Sequence, residues 1–260
     1  MPRILHRLKR GFVPNDIGSS LIAWFDAADL NTIVLNGANV SQWSDKSGQG
    51  NHVVQATATK QPPYQGITST ITTPYLNFTG PQNLQATLKA APGNLAPHTI
   101  FVAGKGISST NGVFMFYSGT SLPNQNSSMG TTSYNRGGYA WWFGGYGQDE
   151  TYGGGTSDNL PHVFTKTYDG VKINGYFNGG FVFTTSVAYN LTFANIGVGC
   201  QTVSGNSPLT GYVQEMLICN AAVSDLTRQK IEGYLAWKWG LQNKLASTHT
   251  YKFVSPMAIY

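Results

Sequence analysis

Residues 162–186 hold three short runs of β-forming residues joined by two tight-turn signatures. The first turn is Asp169–Gly170, and the second is Asn178–Gly180. Asp-Gly and Asn-Gly accept the positive backbone φ that two-residue hairpin turns need. The segment therefore predicts an antiparallel three-stranded meander, with strands over residues 162–168, 171–177 and 181–185.

The rest of the chain from residue 19 continues in this way, with short apolar or alternating runs that end at Gly, Asn or Asp. An Asn36–Gly37 turn predicts one more hairpin. The absence of βαβ alternation indicates antiparallel sheets rather than a parallel one. The further predicted strands cover residues 21–25, 32–35, 40–43, 75–78, 99–103, 113–117, 139–146, 194–200 and 212–219.

One helix is expected near the C-terminal end of the sequence. Ser224 is a suitable N-cap, Asp225 suits the first helical turn, and Gly240 suits the C-terminal stop. One face is mostly apolar, as the spacing of its residues requires. The residues on that face are Ile231, Tyr234, Leu235, Lys238 and Trp239. We therefore predict an all-β fold, a two-sheet antiparallel jelly-roll sandwich with one C-terminal helix and an N-terminal arm.

The composition excludes several other classes of protein. Charged residues make up 10% of the chain, against about 25% in typical domains, which argues against a coiled coil or a helical bundle. Aromatic residues make up 13%, which argues against disorder. The net charge of +5 is concentrated in residues 1–10, which hold four basic side chains and no acid. The main body therefore lacks a basic face for nucleic acid.

Residues 1–18 are predicted to form a basic arm, and residues 19–260 a single jelly-roll domain. Pro14 ends any helix in the arm. The arm either docks into a partner protein, contacts a membrane surface or nucleic acid, or is a frayed terminus. We favour docking, in which the apolar side chains are buried and the arginines meet acidic groups of the partner. The docking residues are Arg3, Ile4, Leu5, Arg7, Leu8, Arg10 and Phe12.

Neither a disulfide framework nor a membrane span is expected. Cys200 and Cys219 are interpreted as two buried thiols rather than a bridge. No apolar run approaches the roughly 18 residues of a membrane span, and the N-terminal sequence lacks the apolar stretch of a standard secretory signal. We therefore expect the chain to be made in a host cytoplasm.

Several segments together resemble LamG-like domains of the concanavalin A-like jelly-roll group. They include the Trp-x-Asp-Lys-Ser-Gly-x-Gly-Asn-His string and the Glu-Gly-Tyr-Leu-Ala-Trp-Lys-Trp-Gly helix. The variant they resemble is found in bacteriophage virion proteins and large bacterial surface proteins. The resemblance covers about residues 19–252, in segments 21–29, 40–52, 75–80, 166–180, 211–218 and 226–241.

The resemblance implies a role in adhesion or structure, often the binding of glycans or proteins, and it leaves the ligand open. We expect a bacteriophage virion protein, a capsid decoration or other outer component that docks on capsid or tail proteins through its arm. Such a protein would be a homo-oligomer or part of a symmetric assembly. The alternative is a lectin-like adhesin or tail receptor-binding module that binds host-surface glycans.

The sequence favours no enzyme. Glycosidases use two nearby carboxylates, yet the only Glu residues are Glu150, Glu215 and Glu232, and none has an acid two or four positions further on. Asp149 and Glu150 are adjacent and would point to opposite faces of a strand. Nucleophile-elbow, phosphate-loop and zinc-helix motifs are absent, and the His residues are scattered. No catalytic residue, metal ligand or cofactor site is assigned.

Calcium is the one cation that we consider, because LamG-like domains include calcium binders. Asp45 with Asn51, or Asp26 or Asp29, would supply oxygen ligands. The favoured interpretation is that Asp45 instead caps the Ser-Gly turn that follows it, since calcium prefers more oxygens than this loop offers.

The best candidate for a binding surface is an aromatic stretch on a predicted strand. Its candidate ligand-binding residues are Tyr139, Trp141, Trp142 and Tyr146. Trp141 and Trp142 must face opposite sides of a strand, so one can be exposed for stacking on a sugar. The alternative is that both are buried, one between the sheets and one beneath a loop or a neighbouring subunit.

Overall fold

The computed structural model describes residues 10–107, 112–120, 122–132, 140–145, 147, 150–153, 158–201 and 205–257. Within these residues the chain forms 17 β-strands and one α-helix, α1 (Asp225–Lys238). The strands are β1 (Leu21–Asp26), β2 (Ile33–Asn36), β3 (Asn39–Trp43), β4 (Val53–Val54), β5 (Tyr64–Gln65), β6 (Tyr75–Thr79), β7 (Leu84–Thr87), β8 (His98–Gly106), β9 (Gly112–Tyr117), β10 (Ser127–Thr132), β11 (Ala140–Trp142), β12 (Thr151–Tyr152), β13 (His162–Tyr168), β14 (Lys172–Phe177), β15 (Gly180–Ser186), β16 (Asn195–Val198) and β17 (Thr210–Cys219).

Four short 3₁₀ helices complete the elements of the described residues, at Pro14–Ser20, Leu30–Thr32, Ala58–Lys60 and Gln242–Lys244. The α-helix is too short to cross a membrane, so no helix in the described part of the chain qualifies as a membrane span.

The strands form two antiparallel sheets that pack face to face as a jelly-roll sandwich. The eight-stranded sheet has the order β15-β14-β13-β8-β17-β6-β5, and β1 pairs with the remaining length of β17. The nine-stranded sheet has the order β12-β11-β10-β9-β16-β7-β4-β3-β2. This confirms the predicted fold class.

The predicted meander is present with close to the expected bounds. Phe164 pairs with Phe177 in β14, and Gly175 pairs with Phe183 in β15. Gly170, Asn178 and Gly179 all have positive φ, of 101°, 49° and 73°. The turn residues therefore fix the register of these three strands, as their sequence indicates.

Two buried apolar clusters hold the strands together. The larger one fills the space between the sheets and includes Phe25, Trp43, Phe114 and Phe164. The smaller one consists of Val113, Phe116, Trp142 and Cys200. Strand β10, with sequence Ser-Ser-Met-Gly-Thr-Thr, was not predicted, because polar residues occupy a strand that is buried along its whole length.

The helix α1 begins at the predicted cap. Ser224 Oγ accepts a hydrogen bond of 3.3 Å from the backbone N–H of Thr227, and Gly240 follows the helix with φ of 72°. The face bearing Ile231 and Leu235 is buried against the eight-stranded sheet. Lys238, which the periodicity places on this face, reaches Glu215 and Asp26 with its ammonium group at 2.7 Å from each.

The start of the described chain packs on the domain itself. Phe12 donates its N–H to Pro256 O at 2.9 Å, and its ring meets Tyr234 edge-on at 6.2 Å. Arg10 forms an ion pair with Asp16. Arg10 remains exposed and Phe12 is half-buried, so the contact of these two side chains with a partner stays a prediction. Arg3, Ile4, Leu5, Arg7 and Leu8 lie outside the described residues, so docking through them stays a prediction.

Candidate ligand-binding site

The two tryptophans proposed for sugar stacking are both buried. They do face opposite sides of β11, as predicted: Trp141 stacks on Phe177 at 5.0 Å, and Trp142 lies in the smaller apolar cluster. Their exposed fractions are 8% and 3%. Of the two alternatives that the sequence left open, the structure has the one in which both indoles are buried, because packed side chains cover each side of β11. Tyr139 and Tyr146 lie outside the described residues.

The carboxylates of Glu215 and Glu232 are fully buried and engaged. Glu215 accepts hydrogen bonds from the indole N–H groups of Trp24 and Trp239, at 2.6 and 2.7 Å. Burial raises the pKa of Glu215, and the Lys238 ammonium opposes that rise. Glu232 accepts a 2.6 Å bond from Arg228. The contacts of Glu215 with Tyr234 and Lys238 hold α1 on the sheet, whereas the Arg228–Glu232 pair lies within the helix.

Asp45 caps the turn that follows it, as the favoured interpretation expected. Its carboxylate accepts from the N–H groups of Ser47 and Asn51, at 2.8 and 3.0 Å. Asp26 and Asp29 both bind the Lys46 ammonium, at 2.7 and 2.8 Å. These carboxylates therefore face donors and cations, and they do not fit a calcium ion. The described residues hold no cluster of three or more His, Cys, Asp or Glu side chains that is suited to a metal.

A Ser–His pair that the sequence did not indicate lies inside the sandwich. His98 Nδ1 lies 2.9 Å from Ala96 O and must donate to it, so Nε2 accepts from Ser127 Oγ at 2.6 Å. Burial lowers the pKa of His98 to about 3. Both side chains are 0% exposed, so no substrate reaches them and the pair is structural.

The buried Lys166 lies close to this pair. Its ammonium group donates to Ser128 O at 2.7 Å and to Gly144 O at 3.1 Å. Burial lowers the pKa of Lys166 well below its usual value. Ser128 belongs to β10 of the opposite sheet and Gly144 follows β11 of that sheet, so Lys166 links the two layers from within.

An open cavity of about 430 Å³ lies where β4 begins and β7 ends. Its walls come from the loop of residues 88–97, the loop of residues 49–51, and Ser19 and Asn220 at the neighbouring edge of the sandwich. Val54 pairs antiparallel with Gln85, so the residues before β4 lie beside those after β7. Segments that are distant in sequence thus form one concave site, of the size that small ligands use.

The polar groups of this cavity are amides, hydroxyls and a single cation. Gln49, Asn220 and Ser19 are exposed at its rim, and Lys89 is the one charged residue among the residues that line it. The ammonium group of Lys89 reaches across to Gly50, where an added Cβ would lie 3.2 Å from Nζ. Gly50 has φ of 73°, so glycine suits both the turn and this close approach. The loop of residues 88–97 thereby places the Lys89 ammonium group beside Gly50, in the opposite wall of the cavity.

Asn51 and Tyr117 form part of the same lining. Asn51 Nδ2 donates to Ile22 O at 2.7 Å, which fixes the orientation of the amide. Its Oδ1 is buried without a hydrogen-bond partner in the described structure, and such an acceptor favours a nearby donor. Burial raises the pKa of Tyr117 to about 12, so its hydroxyl stays protonated. The cavity therefore offers hydrogen-bonding groups and a cation beside apolar proline and alanine side chains.

No protein-family model matches this chain, and no curated protein matches it. Solved structures do match. The binding domain of botulinum neurotoxin serotype G is 12% identical over 88% of this chain and 53% of its own length, with a TM-score of 0.55. The binding domain of botulinum neurotoxin DC in complex with SialylT is 15% identical. The match covers 85% of this chain and 52% of that domain, with a TM-score of 0.54. The same domain in complex with rat synaptotagmin II is 16% identical. That match covers 85% of this chain and 52% of the domain, with a TM-score of 0.52.

This similarity shows the fold, a β-sandwich of the jelly-roll type. The chain spans about half the length of the solved structures that it matches. The matched structures are named as binding domains, and none of these three names describes an enzyme. The narrower assignment to LamG-like domains of virion proteins stays a prediction.

Proposed function

We propose that this chain is a carbohydrate-binding module that recognises its ligand at the cavity between residues 49–51 and 88–97. The observation that carries the proposal is the lining of that cavity. It combines exposed amides and the exposed Ser19 hydroxyl with one lysine and a set of small apolar side chains. Sugars present hydroxyls in quantity together with apolar C–H faces, which this lining matches.

The fold supports the same proposal. Solved structures of similar architecture are binding domains, one of them in complex with SialylT. The buried acids and the Ser–His pair are engaged in holding the structure together, so binding without turnover is the better account. This is the alternative function that the sequence left open, relocated from the buried tryptophans to a different surface.

The test is a screen of the whole chain on an array of neutral and acidic oligosaccharides, followed by titration calorimetry with the best binder. Gly93→Trp places a large side chain at the cavity, since a Cβ at Gly93 meets no atom within 4 Å and its φ is not left-handed. We expect it to lower affinity at least about tenfold, a loss of about 1.4 kcal/mol. Lys89→Gln should weaken the binding of acidic sugars most.

Two matched variants control for these changes. Gly66→Trp is equally tolerated, because a Cβ there makes only an ordinary contact of 3.5 Å with Tyr64, and Gly66 lies outside the cavity lining. Lys172→Gln removes an exposed lysine from β14. Both should bind as the unmodified chain does. Unchanged binding by Gly93→Trp, or no binding to any sugar on the array, contradicts the proposal.

The virion role inferred from the sequence stays a prediction, together with its symmetric assembly and its location in the virion. A binding module of this kind is compatible with an outer virion component. Particle binding by the full chain and by residues 10–260 would test docking through the arm. Equal binding by both would count against it.

A further inference from the structure

A second cavity lies directly beside the first. It has a volume of about 450 Å³ and lies on the outer face of the nine-stranded sheet. The side chains of Val54 in β4 and of Gln85 and Thr87 in β7 point to this face. The neighbouring side chains, Val53 in β4 and Ala86 in β7, point to the core. Val54 is 47% exposed and supplies an apolar floor.

The pairing of β4 with β7 places the residues that line the two cavities next to each other along both strands. Residues 52 and 54 line the outer-face cavity, and residues 49 and 51 line the first one. On the paired strand, residues 85–87 line the outer-face cavity, and residues 88–93 line the first. Because Val54 pairs with Gln85, each step along one strand has its counterpart on the other. The two cavities therefore follow one another along this pair of strands, although they share no lining residue.

The outer-face cavity also offers hydrogen-bonding groups of fixed orientation. His52 Nδ1 accepts a 2.9 Å bond from the backbone N–H of Asp45. The neutral imidazole then carries its proton on Nε2, which leaves an N–H donor on an exposed ring. Asn195 Oδ1 accepts from Gly119 N at 2.6 Å, so Nδ2 is the end of this amide that remains to donate. Both groups suit the oxygens of sugar hydroxyls.

Resting on the proposed function, we infer that the ligand is an oligosaccharide chain that occupies both cavities, with one subsite on the outer face and one at the loops. A single sugar ring fills one cavity only. A chain of several units buries the Val54 floor as well and gains the donors of His52 and Asn195.

Titration calorimetry on the whole chain tests this, with the array's best sugar as the mono-, di-, tetra- and hexasaccharide. Affinity should rise at least about tenfold from the disaccharide to the tetrasaccharide or hexasaccharide. Val54→Arg places a long side chain in the outer-face cavity and should remove that gain while leaving disaccharide binding unchanged. Val34→Arg is the matched control, since Val34 is also 47% exposed, opposes the same Gln42 as Val54 does, and lies outside the cavity.

The outcomes separate this inference from the proposed function. If affinity does not depend on length, or if Val54→Arg binds the hexasaccharide as well as Val34→Arg does, the two-subsite inference is wrong and the cavity at the loops stands. If Gly93→Trp also leaves binding intact, the proposed function is wrong. If no sugar of any length binds the unmodified chain, both are wrong.

Discussion

The indole N–H of Trp24 donates a 2.6 Å hydrogen bond to Oε1 of Glu215, a carboxylate that solvent does not reach. Trp239 donates to the other oxygen of the same group, at 2.7 Å. One buried carboxylate thus joins the first strand, the last strand and the C-terminal helix. The first strand is far from the other two elements in sequence, so the carboxylate fixes contacts between distant parts of the domain.

Removing this carboxylate should destabilise the domain strongly. Glu215→Ala leaves two indole N–H groups, the Tyr234 hydroxyl and the Lys238 ammonium without their shared acceptor. The free energy of unfolding should fall by about 3–5 kcal/mol. Urea denaturation followed by tryptophan fluorescence measures it, with Glu150→Gln on a partly exposed acid as the control. A loss below about 0.5 kcal/mol contradicts this role.

His98 should make the domain sensitive to acid. Its pKa is about 3 in the folded chain against about 6.5 when unfolded, so the unfolded chain binds the extra proton between these values. The contribution of the neutral ring to the free energy of unfolding is fully present above pH 6.5. Below pH 6.5 that contribution falls by about 1.4 kcal/mol per pH unit. Denaturation from pH 7 to pH 4.5 should show a shallower fall in His98→Gln. Parallel curves would mean that other groups carry the acid sensitivity.

Lys166 should add a second pH dependence on the alkaline side. Burial lowers its pKa in the folded chain, so the unfolded chain binds more protons between the lowered value and about 10.5. The free energy of unfolding should therefore rise between pH 7 and pH 9, before tyrosines titrate. Lys166→Met should abolish the rise, and the exposed Lys172→Met should keep it. A rise that persists in Lys166→Met contradicts the assignment.

The buried tryptophans should matter for stability rather than for direct binding. Trp142→Ala empties part of the cluster with Val113, Phe116 and Cys200 and should cost about 3–5 kcal/mol. Any loss of sugar binding should then track unfolding measured by circular dichroism. If Trp142→Ala stays fully folded and loses binding, the original proposal for this aromatic stretch is restored.

The sequence was informative where local chemistry decides the structure. Asp169–Gly170, Asn178–Gly180 and the Ser224 cap each specify a turn or a helix start by their own geometry, and the structure has all three. The sequence did not indicate that Lys166 in β13 is buried. A lysine in an alternating strand is expected to face solvent, and only the packing of the two sheets covers this one. Strand β10 was missed for the same reason, since its Ser and Thr residues are buried only by tertiary packing.

The candidate site could not be predicted from any local pattern. Gln49, Lys89 and Asn220 come from three distant segments that meet through the pairing of β4 with β7 and the packing of β1 on β17. The aromatic stretch was the stronger signal in the sequence, yet Trp residues fill cores as readily as they form binding surfaces. Period-two alternation correctly separated Trp141 from Trp142, but it carries no information on what covers each side.

The most direct test of the central claim is two-dimensional NMR of the ¹⁵N-labelled chain titrated with the best oligosaccharide from the array. Amide shifts should move over residues 49–54 and 85–93, with Lys89 and Gly93 among the largest changes. The hairpin over residues 168–178 should remain still. Shifts confined to that hairpin or to β11, with residues 49–54 and 85–93 unmoved, would show that sugar does not bind at the cavity.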